Sequence, residues 1–150
     1  MNIEKVLQST VKYKLHDSVI LNLLYSTILI ENSEESIFRK FGITRAQYNV
    51  LRILKGAKGN PMNLFDVQSR MLKRMSNTTR LVDKLLTKNY VERIVCPENR
   101  RKVEITITET GLNLLDDILP VLNSKHSEKL KNLSEEEQKS LIELLEKLRT

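Results

Sequence analysis

The stretch RMSNTTRLVDKL, residues 74–85, gathers the side chains best suited to meet a polyanion. Ser76, Asn77, Thr78 and Thr79 are short hydrogen-bonding groups, flanked by Arg74 and Arg80. Four such residues in succession weaken a helix interior, because each competes for backbone hydrogen bonds. Yet Leu81, Val82, Leu85 and Leu86 follow with the one-face spacing of a buried helix. Short polar groups on a first turn reach base edges or phosphates without holding the helix off, and the positive end of the helix dipole favours phosphate. The same residues read equally well as a solvated first turn capped by Ser76. Arg80, Lys84 and Lys88 shift that balance: at i, i+4 and i+8 they share the face opposite the leucines, with Asp83 as the nearby acid.

The charge of the chain points the same way. Lysine and arginine outnumber acids 25 to 19 over 150 residues, and the excess is concentrated. Between Arg70 and Lys102 ten cations, Lys73 among them, face three acids, a local net of +7, while the rest of the chain sums to −1. A basic segment of this kind implies a polyanionic partner. The longest apolar run, Val19 to Ile30, is broken by Asn22, Ser26 and Thr27 and is too short for a membrane span. The opening residues lack a secretory pattern and the single cysteine, Cys96, allows no internal disulfide, so the expectation is a cytoplasmic protein without membrane contact. His16 and His126 stand apart and read as ordinary helix residues, so neither metal nor cofactor is expected. No Gly-rich phosphate loop, paired-carboxylate signature or Cys/His/Asp constellation supports an enzyme.

These side chains need elements to position them. Residues 3 to about 31 have helical apolar spacing, and Ser33 to Phe41 reads as a second short helix stopped by Gly42. Thr44 caps a helix through Tyr48, Leu51, Ile53 and Leu54 up to the Gly56–Pro61 loop. Leu64, Val67 and Met71 mark a short helix in LFDVQSRML, and after a tight connection Ser76 caps another running to about Lys88. Asn89 suits the left-handed position that ends a helix. Val91–Val95 and Val103–Ile107 predict a one-sided hairpin, with Val103, Ile105 and Ile107 alternating against Glu104 and Thr106, around the basic tip PENRRK. Thr108 opens a long helix in which Pro120 predicts a kink, and Ser134 with Glu137 forms a capping box for a last helix striped by Leu141, Ile142, Leu145 and Leu148.

Two short helices joined by a tight turn and followed by a basic-tipped hairpin make a winged helix–turn–helix, in which the first turn of the second helix enters the major groove. Arg100, Arg101 and Lys102 at the tip would reach the adjacent minor groove or the backbone. In detail, residues 43–111 resemble the MarR family of bacterial regulators: ITRAQYNVLRIL precedes the unit, SNTTRLVDKLLTKNYVER runs through the recognition helix into the first strand, PENRR forms the wing, and ITITETG closes the hairpin.

The resemblance implies a mainly α fold with a small β-hairpin wing, the 150 residues forming one domain whose terminal helices, about 1–31 and 112–150, serve dimerisation. It implies a homodimer on a pseudo-palindromic operator in double-stranded DNA, a repressor responsive to a small molecule held in a cleft under the dimer layer. The DNA-contacting residues expected are Lys73, Arg74, Ser76, Asn77, Thr78, Thr79, Arg80, Lys84, Arg100, Arg101 and Lys102; Tyr13, His16 and Tyr48 are the candidates for the ligand cleft, with core packing as the rival role for Tyr48. Two positions depart from the family pattern. Asn89 replaces the glycine before V-E-R, and Asn99 replaces the wing aspartate that would orient Arg101. Oxidant-sensing members have a cysteine in the first helix, which this chain lacks. The competing function is a winged-helix interaction module that meets an acidic protein or binds DNA without sequence preference.

Overall fold

The computed structural model describes residues 2–73, 77–95 and 103–150. In chain order these form α1 (Ile3–Val6), α2 (Leu15–Lys40), α3 (Arg45–Gly56), β1 (Met62–Asn63), α4 (Leu64–Ser69), α5 (Thr78–Thr87), β2 (Val91–Val95), β3 (Val103–Ile107), α6 (Glu109–Leu130) and α7 (Glu135–Leu148). The fold is mainly helical, with a three-stranded antiparallel sheet in the order β1-β3-β2.

The first expected helix begins at Ile3 as its apolar spacing predicts but is interrupted after Val6. The Ser9 hydroxyl donates to the Val11 carbonyl and accepts from the Val11 amide, and this local loop competes with helix, so the long helix starts at Leu15. At the other end, no second helix begins at Ser33. Its hydroxyl bonds back to the Ile30 carbonyl at 2.8 Å, which keeps it inside α2, and the helix runs unbroken to Lys40. Gly42, at φ +69°, then turns the chain in the left-handed conformation expected of it. Thr44 caps α3 as expected, in a reciprocal box with Gln47.

β2 and β3 occupy the expected residues and pair with Val91 opposite Ile107 and Arg93 opposite Ile105. The hairpin is not one-sided, however. Thr106, on the face expected to be polar, is buried as well as Ile105, and β1 adds a short third strand, Met62 opposite Ile105 and Asn63 opposite Glu104, which makes β3 the central strand. Asn89 takes φ +58°, and its carbonyl accepts a hydrogen bond from the Thr108 hydroxyl, which also accepts from the Gly111 amide to cap α6. Gly111 packs so tightly here that a Cβ would lie 2.2 Å from the Tyr90 carbonyl oxygen. α6 continues through Pro120 to Leu130, and Ser134 and Glu137 form the expected capping box of α7.

One core joins these elements: Phe38 of α2, Leu51 and Leu54 of α3, Val67 of α4, Val82 and Leu85 of α5, Ile105 of β3, and Leu115 and Ile118 of α6. The winged unit is therefore rooted on the long helices. By contrast, no residue of α7 is buried, and α2 leaves Leu15, Ile20, Leu24 and Ile28 exposed.

Candidate nucleic-acid interface

α4, the following turn and α5 form the helix–turn–helix. Asn63 caps α4 by accepting from the Asp66 amide at 2.8 Å while its own amide group donates to the Asp66 carboxylate. Val67 and Met71 anchor α4 and the turn in the core. Asn49 of α3 then holds the turn from outside, its Oδ1 accepting from the Leu72 amide at 3.1 Å. The position of α5 is thus set from both sides.

α5 starts one residue later than expected. Asn77 occupies the cap position, at φ −112° and ψ 31°, without a side-chain cap bond. Ser76, to which the sequence assigns that role, lies outside the described residues, as do Arg74, Arg100, Arg101, Lys102 and Cys96. Thr78 is corrected: only 4% exposed, it places its hydroxyl 3.8 Å from the Met71 sulfur and packs the joint between the two helices instead of facing outward. With 3.6 residues per turn, Thr78, Val82 and Leu85 form the inner stripe, which leaves Asn77, Thr79 and Arg80 exposed on the opposite side of the first turn.

The rest of the basic face is divided in use. Lys88 donates to the Gly42 carbonyl and so ties the end of α5 to the end of α2. Lys73 and Lys84 are exposed and border a cleft of about 1050 Å³ between α2, α3 and α5, whose apolar wall includes Phe38, Ile43 and Met71. Asp83, which the sequence offers only as a stray acid, pairs with Arg93 on the first strand of the wing. Neither this pair nor the Asn49 tether has a signal in local spacing, since each joins residues from different elements.

The three candidates for a ligand cleft are not gathered there. Tyr48 packs against the core with its ring centroid 5.0 Å from that of Phe38. His16 is exposed beside Asp17, and Tyr13 belongs to the segment before α2. None of the three lines the cleft. His126 has a partner that its isolation in sequence hides: its Nε2 lies 2.5 Å from the largely buried Glu34 carboxylate. Among the described residues no cluster of metal-ligating side chains occurs, and no helix is long and apolar enough to cross a membrane.

A core-anchored helix–turn–helix, a β-hairpin running from α5 and long helices supporting both define a winged helix–turn–helix protein. Residues 43–103 match the model of the MarR family. The chain is 32% identical over 117 residues to the uncharacterized HTH-type transcriptional regulator YkoM of Bacillus subtilis (strain 168), covering 77% of this chain and 75% of that protein. It also superposes on a MarR transcription factor from Planctomyces limnophilus with a TM-score of 0.71 and 32% identity, across 91% of this chain and 98% of that one. The same fold is found in a cysteine-to-serine mutant of MarR from Escherichia coli, solved in complex with operator DNA, with a TM-score of 0.74, 24% identity and coverage of 91% and 99%. The chain belongs to the MarR family of transcriptional regulators.

Proposed function

We propose that the chain is a cytoplasmic, non-catalytic repressor that binds a pseudo-palindromic operator as a homodimer. The observation that carries this is the first turn of α5, where Asn77, Thr79 and Arg80 are exposed while Thr78 roots the same turn in the core. A rigid turn presenting short polar groups and a guanidinium suits the major groove, where each base pair shows a distinct donor and acceptor pattern. The operator complex of the E. coli MarR mutant, which shares this fold, supports the same use of the unit. Lys73, with Arg74, Arg100, Arg101 and Lys102, adds the phosphate and wing contacts of the proposal.

Two copies would join through α2 and α7, whose exposed leucines and isoleucines form a surface too apolar for solvent. Twin α5 helices would then sit about one DNA turn apart, on the order of 34 Å. A small-molecule effector would occupy the cleft bordered by Lys73 and Lys84, where it touches both α2 and the recognition helix.

The test is selection of bound fragments from the source genome followed by gel-shift competition against bulk DNA. A palindromic consensus with preferential retention is the expected result. Equal competition by any duplex would favour an interaction module without sequence preference.

A further inference from the structure

We infer that Glu34 is a positioning residue that fixes the angle between the winged unit and the long helices, and through it the half-site spacing the dimer accepts. The inference rests on the operator-binding reading. Glu34 lies on α2 and is only 6% exposed, an unfavourable place for a carboxylate unless both oxygens are compensated. Two different elements compensate its charge. Oε1 meets His126 Nε2 of α6 at 2.5 Å, and Oε2 meets Arg45 Nη2, on the first residue of α3, at 2.6 Å, a charge contact without hydrogen-bond alignment, since that buried Nη2 has no hydrogen-bond partner among the described residues. One side chain therefore binds the head of α3 to α6 through α2.

Arg45 has little freedom to follow a shifted partner. Its guanidinium also stands 5.9 Å from the ring centre of Phe38, one turn along α2 from Glu34, so the same face of α2 grips it twice. At the far end of α3, Lys55 pairs with Asp116 of α6 at 2.6 Å, but there both groups are exposed and water can replace either. The two contacts differ in kind. The exposed pair tolerates displacement, whereas moving α3 or α6 away from Glu34 would strand a buried charge.

That asymmetry makes the Glu34 cluster the stiff joint of the fold. A buried ion pair adds little stability over apolar residues of equal volume, so its effect here is a geometric constraint. The constraint reaches the DNA-binding surface, because α3 holds the helix–turn–helix turn through Asn49 and shares the core with α5. In a dimer, a small rotation at this joint changes the separation of two recognition helices, the distance that operator spacing matches.

The experiment measures affinity of the full chain for its selected operator and for duplexes whose half-sites are moved one base pair closer or farther apart. Thermal unfolding is followed in parallel. Wild type should prefer one spacing by about tenfold. Glu34→Gln, which keeps shape and removes charge, should reduce that preference to about twofold. His126→Leu, at a half-exposed position better able to tolerate substitution, should do the same, while His126→Gln, which retains an N–H donor, should restore it. A flattened profile in Glu34→Gln and His126→Leu with rescue by His126→Gln supports the inference. A wild-type profile in the first two overturns it, whatever happens to their melting temperatures. Wild type without operator preference overturns the binding reading and this inference together.

Discussion

Asp83 of the recognition helix and Arg93 of the wing face each other across the joint between the two DNA-binding elements, Oδ1 and Nη2 being 2.5 Å apart. Both are about half exposed, so the pair should contribute only about 0.2–1 kcal/mol to stability. Its larger effect is on aim: Arg93 sits opposite Ile105 on the central strand, and the pair ties α5 to the sheet. Asp83→Asn should leave the denaturation midpoint nearly unchanged while weakening operator binding more than binding to a scrambled duplex. A stability loss beyond about 2 kcal/mol would instead make the pair a structural staple.

Arg80 and Arg101 should do different work. Arg80→Ala is expected to cost about 1–3 kcal/mol on the operator and to relax discrimination at one base of each half-site. Arg101→Ala, in the basic PENRRK segment between β2 and β3, should weaken all duplexes alike and flatten the salt dependence by about one unit of slope. Titrating both variants against operator and scrambled DNA across a salt series separates them. Equal losses on both duplexes for Arg80→Ala would reduce it to a phosphate contact, and operator-only loss for Arg101→Ala would show that the wing reads sequence.

The exposed faces of α2 and α7 should be covered by a second copy. Leu144 and Leu148 on α7 are both more than half exposed. Light scattering at micromolar concentration should give twice the chain mass, and Leu144→Glu with Leu148→Glu should shift the population to monomer or to aggregates. A monodisperse monomer in wild type would refute this use of the helices.

Gly111 is the position where a single methyl group should matter most. Its Cβ would collide with the Tyr90 carbonyl and crowd Ile107, both from the segment that leads into or leaves the wing. Gly111→Ala should therefore destabilise the chain by about 1–3 kcal/mol or more, read by chemical denaturation. An unchanged midpoint would mean that the start of α6 can slide away from Tyr90.

What the sequence disclosed and what it concealed divide along the range of the forces involved. β2 and β3, the left-handed Asn89 and the caps at Thr44, Thr108 and Ser134 are short-range features, written in neighbouring residues. The beginning of α2 was obscured because helical spacing continues through a segment that Ser9 diverts into a local turn. β1 has only two residues and exists through its pairing with β3. In the site, Asn77, Thr79 and Arg80 were legible as a polar first turn, but the inward side of Thr78 depends on Met71, seven residues earlier. Glu34 and His126 are 92 residues apart, and nothing near either one signals the other.

The burial of Thr78 between exposed neighbours separates two kinds of mutational freedom. The side chains of Asn77, Thr79 and Arg80 are exposed, so they can be exchanged without repacking the helices beneath. Thr78, Val82 and Leu85 cannot. A lineage carrying this scaffold can therefore acquire new target sequences through outward substitutions alone, each tried on a chain that still folds, and a duplicated copy can diverge in address while its architecture is inherited intact.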